Sequence, residues 1–215
     1  DTRSIYRLIQ ACGTHCMDYY QIISNNFQDT IETIAVSVDP LAEPVGRACE
    51  IMVQALLGDH KIITCGNGVD GTLAQMFTCN LLSRFEHERP ALPALALNSD
   101  GAGLTAIAQT GGINDIYSRQ LRGLGQEGDV LLCINSTGEA VNLLRAVQAA
   151  HERNMTVVAL SCALDGEFAT LLQQEDVEIR IDSLRRPRVV ELFTMTIHCL
   201  CELIEHSIFG SYNQE

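Results

Sequence analysis

Five short apolar runs, Lys61 to Cys65, Pro93 to Leu97, Val130 to Ile134, Thr156 to Leu160 and Val177 to Ile181, each end on turn residues and give way to a stretch of helical spacing. A short apolar run bounded by turn residues is consistent with a buried strand. Such strands separated by helices make a parallel sheet, because parallel neighbours need a crossover and the crossover helices cover the faces. The predicted fold is therefore α/β, a doubly wound five-stranded parallel sheet. At 215 residues, 47% of them hydrophobic, the chain fits one such domain with a helical extension.

In a doubly wound sheet the ligand crevice lies beyond the carboxyl ends of the strands, where the strand order reverses. The loops after the strands are therefore the places to look. The first run leads into Cys65-Gly66-Asn67-Gly68-Val69-Asp70-Gly71 and the third into Asn135-Ser136-Thr137-Gly138-Glu139. Both join glycine, which lets the backbone approach a ligand, to the start of a helix, whose free amides attract anions. Alone, either loop also reads as a tight turn, and Ser136 and Thr137 as an ordinary helix cap. Two in one sheet point to a phosphate guest, with Gly66, Asn67, Gly68, Asp70, Asn135, Ser136, Thr137 and Gly138 as candidate loop residues.

Residues 1 to 58 carry apolar positions at helical spacing (Ile5, Leu8, Ile9, Cys12, Cys16, Ile31, Ile34, Ala35), and a second run from Ala48 to Leu57 closes on Gly58. The pattern predicts two helices, broken near Pro40 and Pro44, that serve oligomerisation ahead of a domain at 59–215. The last segment, Pro187 to Ile208, opens on proline at a first helical turn. Its apolar residues cover more than one face, so oligomer contacts are expected, with Leu200 in a dry helical interface. Phe209, ahead of the polar tail Ser211 to Glu215, reads either as tucked onto its own oligomer or as an anchor for a partner.

A net charge of −13 opposes direct contact with nucleic acid. Nine cysteines without a C-x-x-C pair read as reduced core residues. Asp1, Arg3, Arg7 and His15 interrupt any leader-like apolar stretch, and no uninterrupted apolar run reaches the ~20 residues of a membrane span, so a cytoplasmic, membrane-free chain without cofactor is expected.

The stretches Cys65 to Phe85, Arg84-Phe85-Glu86-His87-Glu88-Arg89-Pro90 and Gly128-Asp129-Val130-Leu131-Leu132 resemble the SIS-domain family, in the group of the phosphoheptose isomerases and their non-catalytic DiaA-type relatives. Leu104-Thr105-Ala106-Ile107-Ala108, Leu121-Arg122-Gly123-Leu124-Gly125, Asp176 to Ile181 and Cys199 to Glu205 are more similar to the DiaA type. The resemblance implies a flavodoxin-like strand order. It also implies a homotetramer, and for the DiaA type an adaptor that binds the replication initiator DnaA. Phosphoheptose isomerases move a proton through an enediol with a histidine, a glutamate, a glutamine and a second histidine, a set that can hold zinc. By motif these fall on Met76, Asn80, Val190 and His198, so only His198 is retained, as a relic or as a proton carrier. Methionine, asparagine and valine transfer no protons and leave too few zinc ligands, which implies no metal and argues against turnover. Where the family has Gly-Gly-Ser and Ser-Thr-Ser-Gly-Asn-Ser, this chain has Gly68-Val69-Asp70 and Asn135 to Ala140. Asp70 and Glu139 would then stand near a phosphate and weaken its binding. The first reading is thus a non-catalytic adaptor, the alternative a sedoheptulose 7-phosphate isomerase of lipopolysaccharide heptose biosynthesis, and the third a sugar-phosphate sensor.

Overall fold

A computed structural model describes residues 18–138, 140–164, 166 and 168–210. Glu139, the tail from Ser211 and the apolar positions from Ile5 to Cys16 lie outside the described residues.

The described residues open with helix α1 (Tyr19–Leu57), capped by the Asp18 carboxylate on the Gln21 amide and closed at Gly58. There follow β1 (Ile62–Gly66), α2 (Val69–Leu82), β2 (Ala94–Ala96), α3 (Gly101–Gly111), a short turn of helix at Ile113–Asp115, and α4 (Ser118–Leu124). Then come β3 (Val130–Ile134), α5 (Val141–Glu152), β4 (Thr156–Cys162), α6 (Phe168–Leu171), β5 (Val177–Ile181) and α7 (Arg186–Phe209). The five strands pair in parallel in the order β2-β1-β3-β4-β5, the doubly wound order expected, with Ile62 beside Val130 and Val130 beside Thr156. Every residue of β1 and β3 is buried, which is why those runs are apolar throughout.

Alternate residues feed two cores. Ile62, Val130, Leu132, Val158 and Ile179 face α1, α2 and α7, while Ile63, Leu131, Cys133 and Val157 face α4, α5 and Phe168 of α6. Two expectations need correction. Pro40 and Pro44 do not divide the N-terminal segment: α1 is one helix of 39 residues with both prolines inside it. Each proline removes one backbone donor, freeing the carbonyls of Val36 and Pro40, and both of those residues are exposed, so water takes the place of the missing amide. Leu200 is fully buried in the single chain, in the core of α1, α2 and α7, and so lies in no interface between copies.

By length and composition α7 could cross a membrane, with 24 residues and a mean hydropathy of 1.2 over its most apolar window. Within the fold it is a core helix, burying Leu192, Phe193, Ile197, Leu200 and Ile204. Among the described residues the seven cysteines are thiols, five of them buried.

Candidate functional site

The strand order reverses between β1 and β3, so the loops after these two strands flank one crevice. Glycine shapes the first loop for two distinct reasons. Gly68 caps α2 with φ 58° and ψ −118°, a region essentially closed to other residues. A Cβ on Gly66 would lie 2.6 Å from the backbone carbon of Asp70, so only glycine lets α2 start this close to the end of β1.

A polar network then fixes the loop. Tyr117 donates its hydroxyl to the Gly66 carbonyl at 2.6 Å, and Nδ2 of Asn98 donates to the same carbonyl and to the Tyr117 oxygen, both at 2.8 Å. Burial pushes the Tyr117 hydroxyl well above its ordinary range, so it stays a donor. Asn67 and Asn142 exchange reciprocal amide bonds of 2.8 Å, which tie the first loop to the first turn of α5.

The second loop folds on Asn135. Its buried side chain accepts from the amide and hydroxyl of Thr137 and donates to the Gly138 carbonyl at 3.2 Å, an Asx turn that leaves Thr137 exposed. Neither α2 nor α5 has a side-chain cap; at their starts the Asp70 amide donates to the Asn67 carbonyl at 3.1 Å and the Leu143 amide to the Ala140 carbonyl at 2.9 Å.

The two loops meet at Ser136. Its amide donates to Oδ2 of Asp70 at 2.9 Å, and its hydroxyl accepts from Nε of Arg186 at 3.0 Å. Asp70 is 1% exposed, and burial raises its carboxyl above the ordinary range while the Ser136 bonds and Arg186 work in the other direction. The eight loop residues named from sequence thus lie on two loops joined through Asp70 and Ser136. The signals for Tyr117, Asn98, Asn142 and Arg186 were weaker: single polar side chains in apolar or helical stretches, with no motif around them.

His198 is exposed on α7 with its ring 5.6 Å from that of Phe85. Met76 and Val190 pack against the core, and Nδ2 of Asn80 reaches the Cys201 sulfur at 3.8 Å. These residues do not fit zinc, since Met76, Asn80 and Val190 leave one imidazole where the ion takes three or four ligands, and among the described residues no group of three metal-binding side chains occurs. Phe209 is half-buried against the core, with the Arg89 guanidinium 6.0 Å over its ring. Arg89 in turn is bound to the buried Glu205 at 2.6 Å. Phe209 therefore lies far along α7 from the start that carries Arg186, and it is tucked onto its own chain rather than standing free.

The sequence matches the SIS domain family over residues 26–162. It is 42% identical over 195 residues to the phosphoheptose isomerase of Coxiella burnetii, covering 91% of this chain and 98% of that protein. The fold superposes on the phosphoheptose isomerase of Francisella tularensis with a TM-score of 0.86 and 35% identity, covering 88% of this chain and all of the other. Phosphoheptose isomerase GmhA of Neisseria gonorrhoeae gives 0.82 and 35%, over 86% and 98% of the two chains.

Proposed function

The chain belongs to the SIS-domain family and is homologous to phosphoheptose isomerases along nearly its whole length, and from that premise we propose that the crevice between the β1 and β3 loops takes a sugar phosphate of the kind those enzymes act on. One observation carries the reading: the chain is 42% identical to a phosphoheptose isomerase across 98% of that protein. The isomerase, kept as the alternative on sequence grounds, is therefore the better supported reading, and the adaptor set out first draws no support from these relatives. On this reading the anion is addressed by Arg186 and the Ser136 hydroxyl, which are 3.0 Å apart. Aldose–ketose conversion moves one proton between adjacent carbons, and of the four positions carried over from the family only His198 has a side chain that can accept and return it.

A different observation favours a second reading, a site that binds without turnover as the adaptor reading requires, because Met76, Asn80 and Val190 supply neither base nor metal ligand. On either reading the assembly is a homotetramer in the cytoplasm. Support for assembly comes from Tyr20, Phe27, Ile31 and Val36, exposed on α1, and from an apolar groove of about 420 Å³ between α1 and α7, lined by Val38, Leu41, Met195 and Leu203.

NMR of sedoheptulose 7-phosphate incubated with the purified protein separates the two. The isomerase reading expects conversion to the aldose that disappears in His198→Ala. No conversion, together with retention of a DnaA-type initiator on the immobilised full chain, would favour the adaptor instead.

A further inference from the structure

Ser136 is held from both sides by an acidic and a basic side chain on different elements. Its amide faces Asp70 of α2 and its hydroxyl faces Arg186 of α7. A backbone amide at this point, between a strand end and a helix start, is the donor that a ligand's anionic group would use. Here it is already used. We infer that Asp70 is the specificity-determining residue of the crevice: its carboxylate is a built-in anion on the Ser136 amide, and a ligand's phosphate reaches that amide only by displacing it. The inference rests on reading the crevice as a sugar-phosphate site.

Three further observations support it. The Gly66 contact holds the backbone of Asp70 against the end of β1, so the carboxylate is placed by the loop and not by the chance rotamer of a surface side chain. Asp70 is 1% exposed, and its Oδ1 has no hydrogen-bond partner, so the carboxylate is buried with half its acceptors unused. A buried acceptor left this way is costly to keep, which makes the closed arrangement displaceable. Finally, the charges cancel. Arg186 is the cation that acts on Asp70, and from the turn before α4 the Tyr117 hydroxyl feels the Asp70 charge. An incoming dianion meets one positive and one negative group at Ser136, where without Asp70 it would meet Arg186 and a free amide.

The expected effect is selectivity. At neutral pH the crevice takes phosphate esters weakly, with the sugar hydroxyls contributing a larger share of the binding. As the pH falls, the raised carboxyl of Asp70 takes up a proton, loses its charge and yields the amide more easily. Removing one like charge at contact distance from a dianion is worth about ten-fold in affinity or more.

Calorimetric titration of the full chain with sulfate and with sedoheptulose 7-phosphate tests this, because sulfate carries two charges and no titrating proton between pH 5.5 and about pH 8. Asp70→Asn, which keeps shape and loses charge, is expected to bind sulfate about ten-fold more tightly than the unaltered chain at pH 8, and Asp70→Ser more tightly still. Sulfate affinity of the unaltered chain should rise as the pH is lowered, while that of Asp70→Asn changes less. Equal sulfate affinity in the unaltered chain and Asp70→Asn, with sedoheptulose 7-phosphate bound by both, would overturn the role of Asp70 and leave the site reading in place. Binding of sedoheptulose 7-phosphate by neither would overturn both. The pH series on the unaltered chain stands independently of how either variant folds.

Discussion

Asp70 and Glu205 are both buried carboxylates, yet folding moves their acidities in opposite directions. Burial works to raise both. At Asp70 it prevails, because one amide, one hydroxyl and Arg186 are the opposing groups. At Glu205 the amides of Phe85 and Glu86 and the Arg89 guanidinium at 2.6 Å outweigh it and hold the carboxyl below its usual range. The consequences for stability have opposite sign. A lowered folded pKa contributes stability above the ordinary glutamate range, lost as pH falls through the folded value; the raised Asp70 opposes folding once it is ionised. Glu205→Gln leaves Arg89 buried without its counter-charge and is expected to cost about 3 to 5 kcal/mol at pH 7. In urea denaturation this cost should shrink toward pH 3, and a cost that stays constant with pH would contradict the assigned ion pair. Single residues were the least legible scale. Asp70 and Ser136 were each visible as loop residues, but nothing along the chain says that a side chain of one loop reaches the amide of the other. Arg186, Tyr117, Asn98 and Asn142 act through contacts more than thirty residues apart or from segments without a motif.

Among the elements, the strands were read most accurately, since β3 and β5 begin and end at the residues the apolar runs marked. Full burial writes β3 into every position, whereas β5, at the sheet edge, alternates buried Val177, Ile179 and Ile181 with Glu178 and the exposed Arg180. The helices were harder, for a physical reason in each case. Proline predicts a break from the lost amide, but it does not report whether the freed carbonyl faces water, and in α1 it does. Apolar residues around most of α7 suggested contacts between copies, whereas α1, α2 and the sheet together bury much of that circumference inside one chain. Leu200 belongs to that core, so Leu200→Ala is expected to lower stability by about 2 to 5 kcal/mol, the range for a large-to-small change at a fully buried site. Chemical denaturation at several protein concentrations checks the assignment. A loss that is the same at every concentration is expected, and a loss that disappears as the concentration rises would return Leu200 to an interface.

For the whole molecule, the layered fold follows from the alternation of runs, and the crevice follows from the fold, because a sheet of order β2-β1-β3-β4-β5 has its reversal between β1 and β3. The catalytic question does not follow from either, since Met76, Asn80 and Val190, the positions to which the family resemblance assigns proton carriers, have side chains that transfer none. The central claim is thus about place: a sugar phosphate binds where the two glycine loops meet. Hydrogen exchange followed by mass spectrometry on the full chain, with and without saturating sedoheptulose 7-phosphate, tests it most directly. Bound ligand is expected to slow exchange in peptides spanning residues 66–72 and 134–138, and to leave the α1–α7 groove unchanged. Protection confined to that groove, or no protection anywhere, would contradict the account.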